Sequence, residues 1–319
     1  MECNDLYEPS NYDEIVELVQ KANINNRKIH VIGTGLHHVK DGKFDICIST
    51  RRINKIIESS VADLYVTVQS GVLFEELQKY LTERGLFFPA VYNGTVGGLF
   101  STNFPTPFSL WYPYPKDLLL GAKIVTGDGK VIKSGGKTTK FSSGYKIWKL
   151  LSGALGTLGI YVELNVKVLP KPERIVSVKV QDVNEILSEN PVGILSVLDS
   201  SSISHYAIFM GFSSYIEKIS KEKETIDGII GTELECDRIF GIVTPRGLEL
   251  EFLKRVNNGI AFYGGGYVKT CDEKALALRE KGITVIIERG CKDNEDCFGY
   301  SYKSMEILKN SLDPNHVLT

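Results

Sequence analysis

Two spacings of hydrophobic residues alternate along the first 170 residues of the chain. Apolar residues three or four apart predict a helix that carries Ile15, Leu18 and Val19 behind a cap at Ser10 or Asn11, and a second helix over residues 74–84 that Gly85 closes. Alternating or β-rich runs predict strands at residues 28–32, 44–49, 64–68, 118–125 and 160–168. The pattern is that of an α+β domain.

The pattern changes after a break that is rich in proline, Leu169-Pro170-Lys171-Pro172. Two prolines in three residues favour a boundary, and we place the first domain at residues 1–172. A second α+β domain is predicted over 173–298, with a last helix over 302–312 in a C-terminal segment, 299–319. Its strands are predicted at 174–180, 192–198, 206–211, 260–263 and 283–288, and its helices at 183–188, 215–226, 248–256 and 272–281.

Residues 85–115 contain no Asp, Glu, Lys or Arg, although they hold nine of the 31 aromatic residues and five of the eleven prolines. The prolines exclude a long helix or a central strand, so we expect irregular backbone that is nevertheless drawn out of water. One interpretation is a wall around an uncharged aromatic ligand. The other is a loop packed on the core or on another subunit.

Composition excludes several classes of protein. The net charge of −2 over 319 residues opposes binding to nucleic acid through a basic surface. No apolar run is long enough to span a membrane, and the first residues lack the pattern of a signal peptide, so a cytoplasmic protein is expected. The six cysteines have irregular spacings that do not make a secreted disulfide framework. For Cys291 and Cys297 we expect two surface thiols, with a local disulfide as the alternative.

Three short glycine-rich loops lie within the first 160 residues. They are Gly33-Thr34-Gly35, Thr95-Val96-Gly97-Gly98 and residues 153–160. Glycine removes side chains where another group must approach the main chain, so such loops suit a phosphate or a cofactor. Independent tight turns are the alternative, because none of the loops has the spacing of a dinucleotide or P-loop fingerprint.

The order and spacing of these loops resemble the FAD-binding domain of the vanillyl-alcohol oxidase/p-cresol methylhydroxylase (PCMH) superfamily. Within it, the run from Leu151 to Gly159 is most similar to the FAD-binding E-type subunit of glycolate oxidase. The resemblance covers residues 8–172 well and is weak beyond them. The motifs that carry it are Gly33-Thr34-Gly35, Val68-Gln69-Ser70-Gly71-Val72, Gly85-Leu86-Phe87-Phe88-Pro89, Thr95-Val96-Gly97-Gly98, Gly127-Asp128-Gly129, Ser143-Gly144-Tyr145, residues 153–160 and a terminal Asp313-Pro314-Asn315.

The resemblance implies an FAD-binding domain in two parts, a smaller cap domain, and a C-terminal segment that returns to the FAD domain. It also implies where FAD would bind. The pyrophosphate would lie on Gly33, Thr34, Gly35, Leu36, His37 and His38; the ribityl chain and isoalloxazine on Pro89, Thr95, Gly97, Gly98, Ser101 and Thr102; and the adenosine on Gly153, Gly156, Thr157, Gly159 and Ile160.

Several positions depart from the family pattern. Leu36 stands where members with covalent flavin carry histidine, which implies non-covalent FAD. The cap has one histidine, His205, so we expect no metal and regard His205 as a structural residue or a base. Arg289 would clamp a substrate carboxylate, or would be a surface residue paired with Glu288 or Glu280. His316 replaces the terminal glycine of the family.

The resemblance implies an FAD-dependent oxidoreductase that oxidises a small 2-hydroxy acid such as glycolate or D-lactate. It also implies a flavoprotein and an iron–sulfur subunit as partners, and any membrane association would come through them. A non-catalytic subunit that contains FAD and relays electrons or supports an assembly is the alternative. Reductive chemistry with NADPH, as in enolpyruvyl reductases of the same fold, is a third and weaker interpretation.

Overall fold

The computed structural model describes residues 2–37, 41–138, 145–199, 202–292, 295–299 and 302–319. Its α-helices are α1 (Tyr12–Ile24), α2 (Phe74–Thr82), α3 (Val96–Thr102), α4 (Ile147–Leu150), α5 (Val183–Leu187), α6 (Ser213–Ser220), α7 (Glu249–Leu253) and α8 (Tyr302–Leu312), with 3₁₀ helices at Pro115–Leu118 and Glu273–Lys281. Its strands are β1 (Glu2–Tyr7), β2 (Ile29–Ile32), β3 (Lys43–Ser49), β4 (Ile56–Ser60), β5 (Tyr65–Gln69), β6 (Leu86–Phe87), β7 (Leu119–Val125), β8 (Val131–Gly135), β9 (Ile160–Lys167), β10 (Leu169–Pro170), β11 (Arg174–Val180), β12 (Gly193–Asp199), β13 (Ser202–Gly211), β14 (Thr225–Asp227), β15 (Ile239–Val243), β16 (Gly259–Tyr263), β17 (Tyr267–Thr270) and β18 (Val285–Arg289).

A small parallel sheet, in the order β1-β3-β2, forms the N-terminal layer. Helix α1 begins where the sequence predicts, because the Asn11 side chain accepts a hydrogen bond from the Glu14 amide at 3.0 Å. The buried face of α1, with Ile15 and Val19, packs in one cluster with Ile29 of β2 and Ile48 of β3.

The second layer is a five-stranded antiparallel sheet in the order β4-β5-β9-β7-β8. Helices α2, α3 and α4 cover it with buried apolar residues such as Leu77, Phe100 and Trp148. The same cluster takes in Leu86 and Phe88, so the beginning of the charge-free segment belongs to this core.

Residues 174–289 contribute an eight-stranded antiparallel sheet in the order β14-β11-β13-β12-β16-β17-β15-β18. One face is covered by α5, α6, α7 and the second 3₁₀ helix. On the other face, Leu195 and Phe262 pack against Phe108 and Phe87 of the charge-free segment. This part of the segment therefore packs between the two halves of the chain, as its alternative interpretation predicts.

The chain ends beside β2. Leu318 forms a parallel bridge with Ile29, and the Thr319 amide donates to the Ile29 carbonyl at 2.8 Å. His316 has a φ of +50°, the left-handed conformation that glycine adopts most readily. The turn therefore keeps a glycine-like backbone although it carries histidine.

The prediction for the cysteines is wrong. All six are paired, as Cys3–Cys47, Cys236–Cys271 and Cys291–Cys297. Each pair joins cysteines whose Cα atoms are 5.7–6.1 Å apart, a normal distance for a disulfide. For Cys291 and Cys297, the alternative of a local disulfide is the one found.

Sequence reasoning missed strands β1, β4, β6, β10, β15 and β17. Residues 215–226 were expected to form one helix, but α6 ends at Ser220 and Thr225–Asp227 forms the edge strand β14. The helix expected at 272–281 is a 3₁₀ helix. In the part of the chain that the structure describes, no helix has both the length and the apolar character needed to cross a membrane.

Candidate functional site

A cleft with about 1000 Å³ of open space, partly continuous with solvent, lies where three glycine-rich loops meet. It is lined by His30, Val31, Ile32, Gly33, Thr34, Gly35, His37, Thr50, Ser70, Tyr92, Thr95, Gly97, Gly98, Ser101, Thr102, Leu155, Gly156, Thr157, Gly159, Ile160, Tyr161, Cys297, Phe298 and Thr319. Among these described residues there is no Asp, Glu, Lys or Arg. Backbone groups, hydroxyl groups and the imidazole groups of His30 and His37 are therefore the polar groups that this cleft offers a ligand.

The first wall is the loop that follows β2. Gly33 lies against Thr95 of the second loop so closely that a Cβ atom at Gly33 would be 2.4 Å from Thr95 Oγ1. Gly35 has a φ of +75°, a left-handed conformation that a side chain would disfavour. These glycines bring the main chain of the first loop against the second.

The second wall is the start of α3. Thr95 caps this helix, because its hydroxyl accepts a hydrogen bond from the Gly98 amide at 3.1 Å. The Gly97 amide donates to the Ser70 carbonyl at 2.8 Å, and a Cβ at Gly97 would lie 2.7 Å from Ser70 Cβ. Gly97 is therefore needed for contact between α3 and the residue that follows β5.

The Ser70 hydroxyl is the most informative group of this wall. Ser70 is 1% exposed, lines the cleft, and its Oγ has no hydrogen-bond partner among the described residues. A buried hydroxyl without a partner costs free energy, so Ser70 is poised to bond a group placed in the cleft.

The third wall is the loop that leads into β9. Leu155, at a φ of +53°, and Gly156, at +83°, give it a tight turn, and the Leu155 amide donates to the Ser101 carbonyl at 3.0 Å. The Thr157 carbonyl accepts a hydrogen bond from Lys309 Nζ at 2.6 Å. The loop is thus fixed to α3 on one side and to the C-terminal helix on the other.

His37 stands at one end of the cleft. Its ring stacks on Tyr92 with centroids 4.7 Å apart, and Nε2 lies 2.6 Å from the Asn93 carbonyl oxygen. Because a carbonyl only accepts, Nε2 carries a proton. Burial lowers the pKa of His37, and burial raises the pKa of Tyr92, so both rings are held in their neutral forms.

Thirteen of the residues that the resemblance implies for FAD meet at this cleft: Gly33, Thr34, Gly35, His37, Thr95, Gly97, Gly98, Ser101, Thr102, Gly156, Thr157, Gly159 and Ile160. Three others do not line it. Leu36 is half-exposed, Pro89 is buried, and Gly153 lies against Asn103. His38 falls outside the described residues.

The two residues considered for catalysis lie in different places. His205 shares a face of β13 with Ala207 and Phe209, the face that the helices cover, and its Nδ1 lies 2.7 Å from Ser196 Oγ. It does not line the cleft. Arg289, at the end of β18, lies close enough to His37 for its charge to contribute to the lowered pKa of that histidine.

Arg289 is not paired with either glutamate considered for it. Glu288 is buried and instead accepts a hydrogen bond from Tyr267 Oη at 2.7 Å, with Lys269 Nζ 3.7 Å away. Within the described ranges, Arg289 makes no side-chain hydrogen bond or ion pair. Its guanidinium therefore keeps its donors for another group.

Sequence reasoning missed several residues of the cleft, among them Ser70, His30, Tyr92, Tyr161 and Phe298. Ser70 had a signal, because it lies inside one of the motifs that carry the resemblance. Phe298 had no such signal, because it is far along the sequence from the three glycine-rich loops and only folding brings it to the cleft.

Comparison with known proteins supports a cofactor-binding role for this region. Residues 6–135 match a family model described as "FAD binding domain". The chain is 32% identical over 179 residues to a D-lactate dehydrogenase of Anaerostipes hadrus, covering 54% of this chain and 38% of that protein. It is 35% identical over 127 residues to the glycolate oxidase subunit GlcD of Bacillus subtilis, covering 39% of this chain and 27% of that protein.

The glycolate oxidase subunit GlcE of Escherichia coli is 27% identical over 157 residues, which cover 47% of this chain and 45% of that subunit. The chain thus spans less than half of the length of these curated relatives. Among solved structures, an alkyldihydroxyacetonephosphate synthase superposes on 98% of this chain and 75% of its own, with a TM-score of 0.67 and 16% identity. At that identity the likeness concerns the fold alone.

The family model supports FAD as the cofactor. The structural likeness covers 98% of the chain and so extends beyond residue 172. The predicted fold class, an α+β FAD-binding domain with a smaller α+β cap, is confirmed. The chain is a flavoprotein that carries an FAD-binding domain of the PCMH type.

Proposed function

We propose that this chain is the FAD-binding part of an oxidoreductase that oxidises a small 2-hydroxy acid, such as glycolate or D-lactate. The observation that carries the proposal is the cleft of glycines and hydroxyl groups, which lies largely within the region matched as an FAD-binding domain. Relatives named as a D-lactate dehydrogenase and as glycolate oxidase subunits support the choice of substrate class.

The cleft fits the chemistry of FAD. A pyrophosphate can be held by main-chain amides that glycines leave open, and Gly33, Thr34, Gly35 and His37 would supply that part of the site. Thr95, Gly97, Gly98, Ser101 and Thr102 would hold the ribityl chain and isoalloxazine, and Gly156, Thr157, Gly159 and Ile160 the adenosine. The unpaired Ser70 hydroxyl supplies a further partner.

The flavin is proposed to be non-covalent. Leu36 offers no nucleophile, and the Nε2 atom of the neighbouring His37 is bonded to the Asn93 carbonyl. The ring is also packed on Tyr92, which holds it in one orientation. His37 is therefore proposed to shape the cleft rather than to attach the cofactor.

FAD supplies a hydride acceptor when it is bound. Residues of this chain would bind and orient the acid. Arg289, whose donors are not used elsewhere in the described structure, would hold the carboxylate of the acid, and two parallel N–H donors suit a carboxylate well. His205 has no part in this proposal, because it does not line the cleft and its Nδ1 is bonded to Ser196 Oγ.

The alternative is an FAD-containing subunit that relays electrons, or supports an assembly, beside a larger flavoprotein and an iron–sulfur subunit. The likeness to a relative named as a subunit, GlcE, supports it. So does the position of His205, the one cap histidine, which does not line the cleft.

Anaerobic mixing separates the two. The purified protein, filled with FAD, is mixed with glycolate, D-lactate or L-lactate, and the visible absorbance of the flavin is followed. If the chain is catalytic, one of these acids reduces the flavin and its visible absorbance is lost. Steady-state dye reduction is then measured for the chain alone and with co-expressed neighbouring subunits. Turnover by the lone chain near ~10 s⁻¹, the median for enzymes, would exclude the relay subunit.

The role of Arg289 has its own test. Arg289→Met should raise the acid concentration for half-maximal bleaching by about tenfold or more, because a charge-assisted hydrogen bond is lost. Arg174→Met is the matched control, since Arg174 pairs with Asp227 at 3.1 Å on the exposed edge of the same sheet. Equal behaviour of the two variants would contradict the assignment.

A further inference from the structure

We propose that Lys309 is a positioning residue for the cofactor site, and that with Asp313 it joins two walls of the cleft through the C-terminal tail. The proposal rests on the placement of FAD in the cleft argued above. Neither residue lines that cleft, so both would act through the loops that do.

Lys309 lies on the last turn of α8 and its ammonium has three close acceptors. These are the Thr157 carbonyl, the Leu318 carbonyl and Asp313 Oδ2, each at 2.6 Å. An ammonium group has three donors, so all of them are used. One of the three acceptors belongs to the cleft itself, because Thr157 lies on its third wall.

Asp313 continues the connection into the tail. Its side chain is fully buried, and it accepts hydrogen bonds from the Val317 amide at 2.9 Å and the Leu318 amide at 2.8 Å. The tail then pairs with β2: the Ile29 amide donates to Val317 at 2.7 Å, and Leu318 bridges Ile29. Strand β2 leads directly into the loop that begins at Gly33.

The pair thus connects two walls of the cleft. From Thr157 on the third wall, the chain of contacts runs through Lys309 and Asp313 to the tail, and through the tail to β2 and the first wall. Lys309 is 15% exposed and Asp313 is 0% exposed, so water does not replace these bonds easily. Burial lowers the pKa of Lys309, while the carboxylate of Asp313 opposes that shift.

Removing the ammonium should therefore release the Thr157 carbonyl and let the third wall move relative to the first. The change to test is Lys309→Met, which keeps the length of the side chain and deletes its donors. The double variant K309M/D313N removes the uncompensated buried carboxylate and covers the case in which the single variant does not fold. The matched control is Lys28→Met, because Lys28 Nζ also donates to the tail, at the His316 carbonyl, but is exposed.

Two quantities are measured: the Kd of FAD for the apoprotein, and amide hydrogen exchange at residues 155–160. We expect the Kd of FAD to rise by about tenfold or more in Lys309→Met or in the double variant, and exchange at 155–160 to speed up. Lys28→Met should change neither. In the wild-type protein, FAD should slow exchange both at 155–160 and in the tail at 317–319.

The proposal is overturned if a folded Lys309 variant binds FAD within twofold of the wild type. It is also overturned if Lys28→Met weakens FAD equally, since the effect would then be a general loosening of the tail. Unchanged tail exchange in the wild-type protein on addition of FAD overturns it without any variant. Failure of the FAD site itself is distinguishable, because FAD would then leave exchange at both 155–160 and 33–37 unchanged.

Discussion

The contact between Gly33 and Thr95 gives the sharpest test of how the cleft is built. A methyl group at Gly33 would lie 2.4 Å from Thr95 Oγ1, 3.1 Å from its Cγ2 and 3.3 Å from its Cβ. Ordinary contact begins near 3.4 Å, so the overlap with the hydroxyl is 3.4 − 2.4 = 1.0 Å. In Gly33→Ala either the two loops separate or the Thr95 side chain rotates away.

The free-energy cost of each route is known to an order of magnitude. Overpacking costs about 1–3 kcal/mol, and rotation of Thr95 gives up the cap on the Gly98 amide, which is worth about 0.5–2 kcal/mol. The cheaper route sets the effect at about 0.5–2 kcal/mol. If the loops hold FAD, the Kd of FAD for Gly33→Ala should rise by roughly 2- to 30-fold, as measured by titration of the apoprotein.

Thr95→Ala supplies the decisive comparison. It removes the hydroxyl and Cγ2 and leaves a tolerable contact of 3.3 Å, so the double variant G33A/T95A should bind FAD better than the two single effects added together. Gly85→Ala is the control, because Gly85 does not line the cleft, a Cβ there meets no described atom within 4 Å, and its cost comes from a φ of +68°. Additive behaviour of Gly33→Ala with Thr95→Ala would refute the steric argument, as would an unchanged Kd in Gly33→Ala.

Acid precipitation should leave FAD in the supernatant, whereas flavin that stays with the denatured protein would mean a covalent link. Denatured, unreduced protein should contain no free thiols. Loop-closure entropy predicts that the Cys3–Cys47 disulfide stabilises the fold by about 4 kcal/mol and the Cys291–Cys297 disulfide by about 2 kcal/mol. The double variant Cys3→Ser/Cys47→Ser should therefore lower the Tm more than Cys291→Ser/Cys297→Ser. Burial lowers the pKa of His37, so the unfolded chain binds a proton more readily than the folded chain, and stability should fall as the pH drops below about 6.5. Between pH 7.5 and 5.5, the Tm of His37→Asn should fall less than the Tm of the wild type. An equal fall in the two Tm values would contradict the assignment.

Much of the first domain could be predicted because its signals are local. Asn11 caps α1 through its own neighbour, Glu14, and the strands of the central sheet read as short apolar runs between turn residues. The glycine loops were detectable for the same reason, since glycine marks positions where the backbone turns or is closely approached.

The failures concern interactions between distant parts of the chain. Strand β17 is only four residues long and is fixed by its pairing with β15 and β16 rather than by its own sequence. The three disulfides join cysteines 44, 35 and 6 residues apart, and spacing alone could not pair them. The aromatic residues of 85–115 could not be divided between ligand and core, and in the structure Tyr92 lines the cleft whereas Phe88 and Phe108 are buried in the core.

The pairing of every cysteine also bears on the predicted cytoplasmic location. Structural disulfides persist in oxidising compartments, and inside the cell they are characteristic of hyperthermophiles. A cytoplasmic location is therefore compatible with three structural disulfides in a host of that kind. Mass spectrometry of alkylated protein taken directly from the source cells would show whether the six cysteines are paired or reduced there.

The absence of charged side chains among the described residues that line the cleft has a consequence for how the cofactor responds to salt. Ions screen the attraction between a phosphate and a lysine or arginine, with a Debye length of about 10 Å at 0.1 M ionic strength. Hydrogen bonds from backbone amides and hydroxyl groups are short and depend little on such screening. FAD held in this way should remain on the protein through ion-exchange steps and high-salt washes that strip a phosphate bound by surface cations.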